Sequence, residues 1–93
     1  FYMSQLFKGQ TNISIVLETN YDISTATNPL VRYRKPNGVH GSWTANKIGT
    51  TLVFNAINGE IDLEGIWSFQ AYVEIGGLKA YGSIITQLIN KPL

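Results

Sequence analysis

The stretch IWSFQAYVEIGGLKAYGSIITQLI, residues 66–89, decides the fold of this 93-residue chain. Two runs of aromatic and β-branched residues meet at Gly76-Gly77, and paired glycines accept the positive φ that a two-residue hairpin turn demands. With the turn placed there, Ile75 faces Leu78, Val73 faces Ala80, Ala71 faces Gly82, Phe69 faces Ile84 and Trp67 faces Thr86. That face is almost wholly apolar. The opposite face pairs Glu74 with Lys79, Tyr72 with Tyr81 and Gln70 with Ser83. Charge and aromatic pairs of this kind stabilise a solvated face by about 0.2–1 kcal/mol each. A one-residue slip would destroy both patterns together, because strand side chains alternate with period two.

The same test applies upstream, to YRKPNGVHGSW at residues 33–43. A two-residue Asn37-Gly38 turn would set Arg32 opposite Trp43 on one face. A three-residue Pro36-Asn37-Gly38 loop instead sets Val31 opposite Trp43 and Tyr33 opposite Gly41. Proline suits the second position of a type I turn, and glycine suits the left-handed position that follows. The second register turns Val31, Tyr33 and Trp43 inward and Arg32, Arg34, His40 and Ser42 outward, so it is preferred. The stretch reads as a hairpin corner rather than a nucleic-acid grip, which would need its aromatics exposed for stacking.

Turn signals recur along the whole chain, at Asn28-Pro29, Gly49, Asn58-Gly59 and Gly65 besides the two hairpins. They separate short β-branched runs, and no dozen residues carry apolar side chains at helical spacing. Expected strands are 3–8, 11–18, 29–35, 39–46, 50–56, 66–75 and 78–89. Seven short strands in this length predict an all-β, immunoglobulin-like antiparallel sandwich, with 1–93 as a single domain.

Composition narrows the function. Apolar residues make up 44% and charged residues 14%, well under the usual ~25% charged, as suits a compact sheet protein rather than a disordered one. Seven Lys/Arg against six Asp/Glu leave +1, whereas a domain living on phosphate contacts carries a clear basic excess. Nucleic acid is therefore not an expected partner. There is no cysteine, so the fold does without disulfides, whether in a reducing compartment or among neighbouring subunits. No apolar run of about 18 residues is present to span a membrane. FYMSQLFKG lacks the charged and apolar regions of a signal peptide. Met3-Ser4 reads as a candidate native start, with Phe1-Tyr2 left over from processing or expression.

Candidate chemistry is sparse. His40 stands alone, with no second histidine and no cysteine, where a triad needs nucleophile, base and orienting group together. Glu60, Asp62 and Glu64 alternate, but calcium takes six to eight oxygens and no EF-hand spacing is present. The segment NGEIDLEG reads as the loop into the Trp67 strand, with Leu63 plugging the sandwich end. No phosphate loop or nucleophile elbow occurs. The expectation is no enzyme, no metal and no cofactor. One surface stands out: with strands three, six and seven in one sheet, Arg32, Arg34, Tyr72, Glu74, Lys79 and Tyr81 line an outer face. Tyrosines beside arginines are enriched at binding hot spots.

From Arg34 to Gly82 the chain resembles a family of small immunoglobulin-like virion proteins of tailed phages and prophages. The resemblance rests on the Lys35-Pro36-Asn37-Gly38 turn, Gly41-Ser42-Trp43-Thr44-Ala45, the run Gly65-Ile66-Trp67-Ser68-Phe69-Gln70-Ala71-Tyr72-Val73, the Gly76-Gly77 hairpin and Gly82. The chain departs from that pattern at Ile61-Asp62-Leu63-Glu64, where DLD is usual, and at Leu78, where an aromatic is common. The resemblance implies a structural or decoration role in head, neck, tail or baseplate. Its partners would be other virion proteins and further copies of the chain, and its place the virion, after synthesis in the bacterial cytoplasm. Tyr72 and Tyr81 would be the aromatic anchors, with Arg32, Arg34, Glu74 and Lys79 as the charged surround. The alternative is an adhesion or carbohydrate-binding module, using Tyr72 and Tyr81 with Glu74 and Gln70, since sandwich folds host both roles.

Overall fold

The computed structural model describes residues 5–93 and is all-β among them, two sheets packed as a sandwich. The strands are β1 (Leu6–Phe7), β2 (Ile13–Glu18), β3 (Thr27–Arg34), β4 (His40–Thr44), β5 (Asn46–Ile48), β6 (Thr51–Ala56), β7 (Gly65–Ile75) and β8 (Leu78–Asn90). One sheet runs β1-β8-β7-β3-β4 and the other β2-β6-β5. Of the expected strand 3–8, Met3 and Ser4 lie outside the described residues, as does the reading of Phe1-Tyr2.

Eight strands replace the expected seven because the segment 39–46 divides. Ala45 is buried at 6% exposure, and its N–H donates to the carbonyl of Pro29 at 2.9 Å. There the chain leaves one sheet, and β5 joins the other beside β6. A small side chain lets the backbone cross through the sandwich edge without opening the core.

The Pro36-Asn37-Gly38 loop forms as the sequence predicts. Val31 pairs with Trp43, Tyr33 with Gly41 and Arg34 with His40, while Lys35 and Val39 close the loop at 2.8 Å. Gly38 takes φ +87°, the left-handed position of such a turn. Tyr33 and Trp43 point inward and are half-buried. Their rings stack at 4.2 Å, and Trp43 also stacks on Phe54 of the opposite sheet at 4.5 Å. Behind them Trp67, Phe69, Val31, Leu52, Ile23, Ile61 and Ile89 form the fully buried centre. Trp67 is 0% exposed, and its indole N–H donates to the carbonyl of Leu63 at 2.9 Å. Leu63 is half-buried against the core; the loop side chain that seats completely is Ile61.

The long hairpin keeps the expected register only near its turn. Ile75–Leu78, Glu74–Lys79, Val73–Ala80 and Tyr72–Tyr81 pair as predicted, but Gln70 then pairs with Ile84, Phe69 with Ile85 and Trp67 with Gln87. A bulge sets Ala71 against both Gly82 and Ser83. Gly82 packs so closely that a Cβ there would lie 3.2 Å from that of Ala71. The extra residue reverses the remainder of β8: Ile84, Thr86 and Leu88 turn outward, and Ile89 reaches the core at 1% exposure.

Deleting Ser83 is therefore expected to regularise the ladder while leaving every pairing beyond it intact. Deleting Thr86 is expected to unseat Ile89, at a cost of about 2–5 kcal/mol, the range for emptying a buried aliphatic site. Calorimetric melts of the two deletions decide this. Equal losses would contradict the bulge.

Candidate functional site

The outer face of the five-stranded sheet carries the residues singled out in the sequence, arranged in transverse rows by the strand registers. One row runs Thr86, Ser68, Arg34, His40; the next Ile84, Gln70, Arg32, Ser42; the third Tyr81, Tyr72, Leu30, Thr44. Glu74 and Lys79 close the far end as register partners. All six expected site residues, Arg32, Arg34, Tyr72, Glu74, Lys79 and Tyr81, thus belong to this side of one sheet.

Their roles are unequal. Tyr81 is 53% exposed, but Tyr72 is only 7% exposed. The two rings meet edge-to-face at 5.2 Å, and the Arg32 guanidinium lies 5.8 Å from the Tyr81 centroid. The Tyr72 hydroxyl donates to Glu74 Oε2 at 2.7 Å, and the Asn28 amide donates to Oε1 at 3.0 Å. Asn28 is positioned for this by an irregularity in β3 and a φ of +50°. The anticipated Glu74–Lys79 ion pair is accordingly not made. Each carboxylate oxygen accepts one of these hydrogen bonds, and the ion pairs among the described residues are Lys8–Glu64 and Lys35–Asp62.

The Tyr72–Glu74 bond has a pH signature. The Tyr72 hydroxyl first, and then the Asn28 amide, hold the Glu74 carboxyl below its ordinary value; Glu74 in turn raises the Tyr72 phenol. A depressed carboxyl stabilises the fold above its unfolded pKa, and that contribution fades as pH falls through the folded value. The raised phenol contributes below its unfolded pKa and loses that contribution as pH climbs through the folded one. Replacing Tyr72 with Phe is expected to move the Glu74 titration upward, followed by the side-chain carboxyl ¹³C shift. An unmoved titration would show that the hydroxyl does not hold the carboxylate.

Two concavities flank Arg32. One, of about 340 Å³, is lined by Arg32, Arg34, His40, Ser68, Gln70 and Ile84, with Tyr33 and Phe69. The other, of about 360 Å³, lies over Tyr72 between Arg32, Glu74, Lys79 and Tyr81. In the first, Ser68 and Gln70 on β7 lie between the two arginines on β3 and Ile84 on β8. The Gln70 side-chain amide donates to the carbonyl of Gly82 at 2.8 Å, tying that side chain to the bulge. Neither arginine is in an ion pair among the described residues.

Ile84, together with Leu88 and its cross-strand neighbour Ile66, was missed by the sequence reading. These are 65%, 51% and 54% exposed; Ile84 follows Tyr81 on the outer face, and the Leu88–Ile66 pair lies beyond the Thr86–Ser68 row. The signal that would have found Ile84 was Gly82, since a lone glycine within a strand marks a bulge.

The acidic alternation disperses: Glu60 accepts the Asn58 N–H at 2.8 Å, Asp62 takes the Lys35 ammonium at 2.9 Å, and Glu64 faces Lys8 at 3.5 Å. His40 sits at the cleft's rim opposite Arg34. Comparison with family models, curated proteins and solved structures returned no match, so the face is read from its geometry.

Proposed function

We propose that this protein is a non-catalytic structural or decoration component of a phage or prophage virion, acting through protein–protein contact at the outer face of its five-stranded sheet. The observation that carries this reading is the exposure of Tyr81 and Ile84 beside Arg32 and Arg34. Exposed apolar side chains set beside charge suit an interaction surface, and Tyr and Arg are the residue types that dominate such surfaces energetically. The strand order supports an immunoglobulin-like assignment: β8-β7-β3-β4 faces β2-β6-β5, as in variable-type sandwiches, where the sheet of the last two strands also carries the third and its neighbour. The resemblance of residues 34–82 to virion proteins supplies the setting. Other virion proteins and further copies of the chain are its partners, since a symmetric particle reuses one patch many times.

Solution mass by light scattering, with negative-stain images of the same fraction, tests the reading. The expected result is a closed oligomer or ring that a double substitution, Tyr81→Ser with Ile84→Ser, dissolves while the chain stays folded with a cooperative melt. Tyr72 stays unmutated, because it is part of the packed sheet. The carbohydrate-binding alternative loses support from the burial of Tyr72, which leaves Tyr81 as the exposed ring of that pair. Competable glycan-array hits removed by Tyr81→Ser would restore it and displace the virion reading.

A further inference from the structure

We infer that the cleft along β7 receives an extended acidic segment of a partner protein, with carboxylates on one side and an aliphatic side chain on the other. This rests on reading the outer face as an interaction face and names the chemistry of what docks there.

Charge is the first argument. The cleft's lining holds two guanidiniums and an imidazole and no carboxylate. The acidic side chain nearest along the face, Glu74, is already bonded to Tyr72 and Asn28. Among the described residues neither Arg32 nor Arg34 makes an ion pair, and a guanidinium fork matches a carboxylate by two parallel N–H···O bonds.

Spacing is the second. Arg32 and Arg34 are two residues apart on β3 and point the same way, so their stems are separated by about 6.6–6.8 Å, the two-residue repeat of a strand. An extended partner repeats at the same distance, which lets successive carboxylates meet successive arginines. Its intervening side chain then points at the opposite side, where Ile84 is 65% exposed. Ser68 and Gln70, between Arg34 and Thr86 and between Arg32 and Ile84 in the ladder, offer polar atoms to a backbone lying there.

Phosphate-bearing partners fit less well. Nucleic-acid binding draws on many phosphate contacts, whereas the chain carries seven basic against six acidic side chains.

The test titrates the whole chain with an acetylated, amidated pentapeptide bearing glutamates at positions two and four and valine between them. The glutamine version of that peptide, inorganic phosphate and oligo-dT are the comparisons. NMR follows the Nε–H signals of Arg32 and Arg34 and the amides of Ser68 and Gln70. The expected result is saturable shifts confined to these groups, at least tenfold weaker with the glutamine peptide or with Arg34→Gln. Arg34→Lys, which keeps charge without the fork, is expected to fall between. Equal binding of the glutamine peptide, shifts elsewhere, or no saturation at millimolar peptide would overturn the proposal. Tighter binding of oligo-dT would replace it with a nucleic-acid site, and tighter phosphate binding with a bare anion site. If the peptide fails while Tyr81→Ser with Ile84→Ser still dissolves the oligomer, the interaction face stands and only its acidic partner is lost.

Discussion

Trp67→Ala is expected to destabilise the protein by about 3–5 kcal/mol, the range for emptying a buried aromatic site. Trp67 is 0% exposed and sits among the inward rings of the five-stranded sheet: its ring lies 6.0 Å from Phe69, 6.3 Å from Trp43 and 5.8 Å from Tyr33. The Lys35 ammonium sits 5.6 Å from its centroid. A domain of this size has a total stability of roughly 5–15 kcal/mol, so the loss is a large share of the whole. Trp67→Phe separates two contributions. It keeps most of the apolar contact but leaves the carbonyl of Leu63 without its donor, which costs about 1–3 kcal/mol when the group stays dry. Urea denaturation measures both. A Trp67→Ala loss below about 1 kcal/mol would mean that the core does not depend on this side chain, contrary to the cavity scale for buried aromatics.

Gly65→Ala is the second large effect, and it acts through the corner at which β7 begins. Gly65 has φ +123°, a conformation that side chains other than glycine's adopt only under strain. Holding alanine there costs about 1–3 kcal/mol. A Cβ would also lie 2.8 Å from Pro36 Cγ and 2.9 Å from Pro36 Cβ, and overpacking of this kind costs about 1–3 kcal/mol more. Pro36 belongs to the β3–β4 loop, whose neighbour Lys35 holds Asp62 at 2.9 Å. The substitution is thus expected to push the loop away from the 60–64 segment and loosen the Lys35–Asp62 pair.

Pro36→Gly removes both colliding atoms, so it should relieve the steric part of the Gly65→Ala loss and none of the backbone part. A double-mutant cycle is expected to show a coupling of about 0.5–3 kcal/mol. Strict additivity would sever the corner from the turn. The pairing gives a physical reason for KPNG and the glycine before Trp67 to occur together in one chain: each is shaped to the other.

The hairpin corner at 36–38 was legible because its constraint is local: proline and glycine set their own dihedrals, and a buried Trp43 excludes the other register. The Gly76-Gly77 turn was legible for the same reason, and it fixed every pairing as far as Tyr72–Tyr81. Beyond that point the expected register failed by one residue. Alternation assumes an unbroken ladder, and the bulge at Gly82-Ser83 inserts a residue that the period-two pattern does not contain. The error moved Ile84 from the core to the surface and so concealed the apolar side of the cleft.

The site residues show the same division. Alternation along single strands placed Arg32, Arg34, Tyr72, Glu74, Lys79 and Tyr81 outward, and grouping strands three, six and seven in one sheet gathered them on one face. It did not reveal that Asn28, from a distorted stretch of β3, would compete with Lys79 for Glu74, or that Tyr81 would cover Tyr72. Those outcomes depend on the path of a neighbouring strand and on which of two rings lies above the other.

What the amino-acid order determined by itself was therefore the all-β class, both hairpin turns, and the inward or outward sense of the side chains paired in those hairpins up to the bulge. These follow from dihedral preference and side-chain period, which act over a few residues. Only the tertiary structure decided the crossing of the chain between sheets at Ala45, the reversal of β8, the fit of Gly65 against Pro36, and the cleft between Arg32, Arg34 and Ile84. Each of these is a contact between segments far apart in the chain, and close packing, not local propensity, chooses among the arrangements that local rules allow.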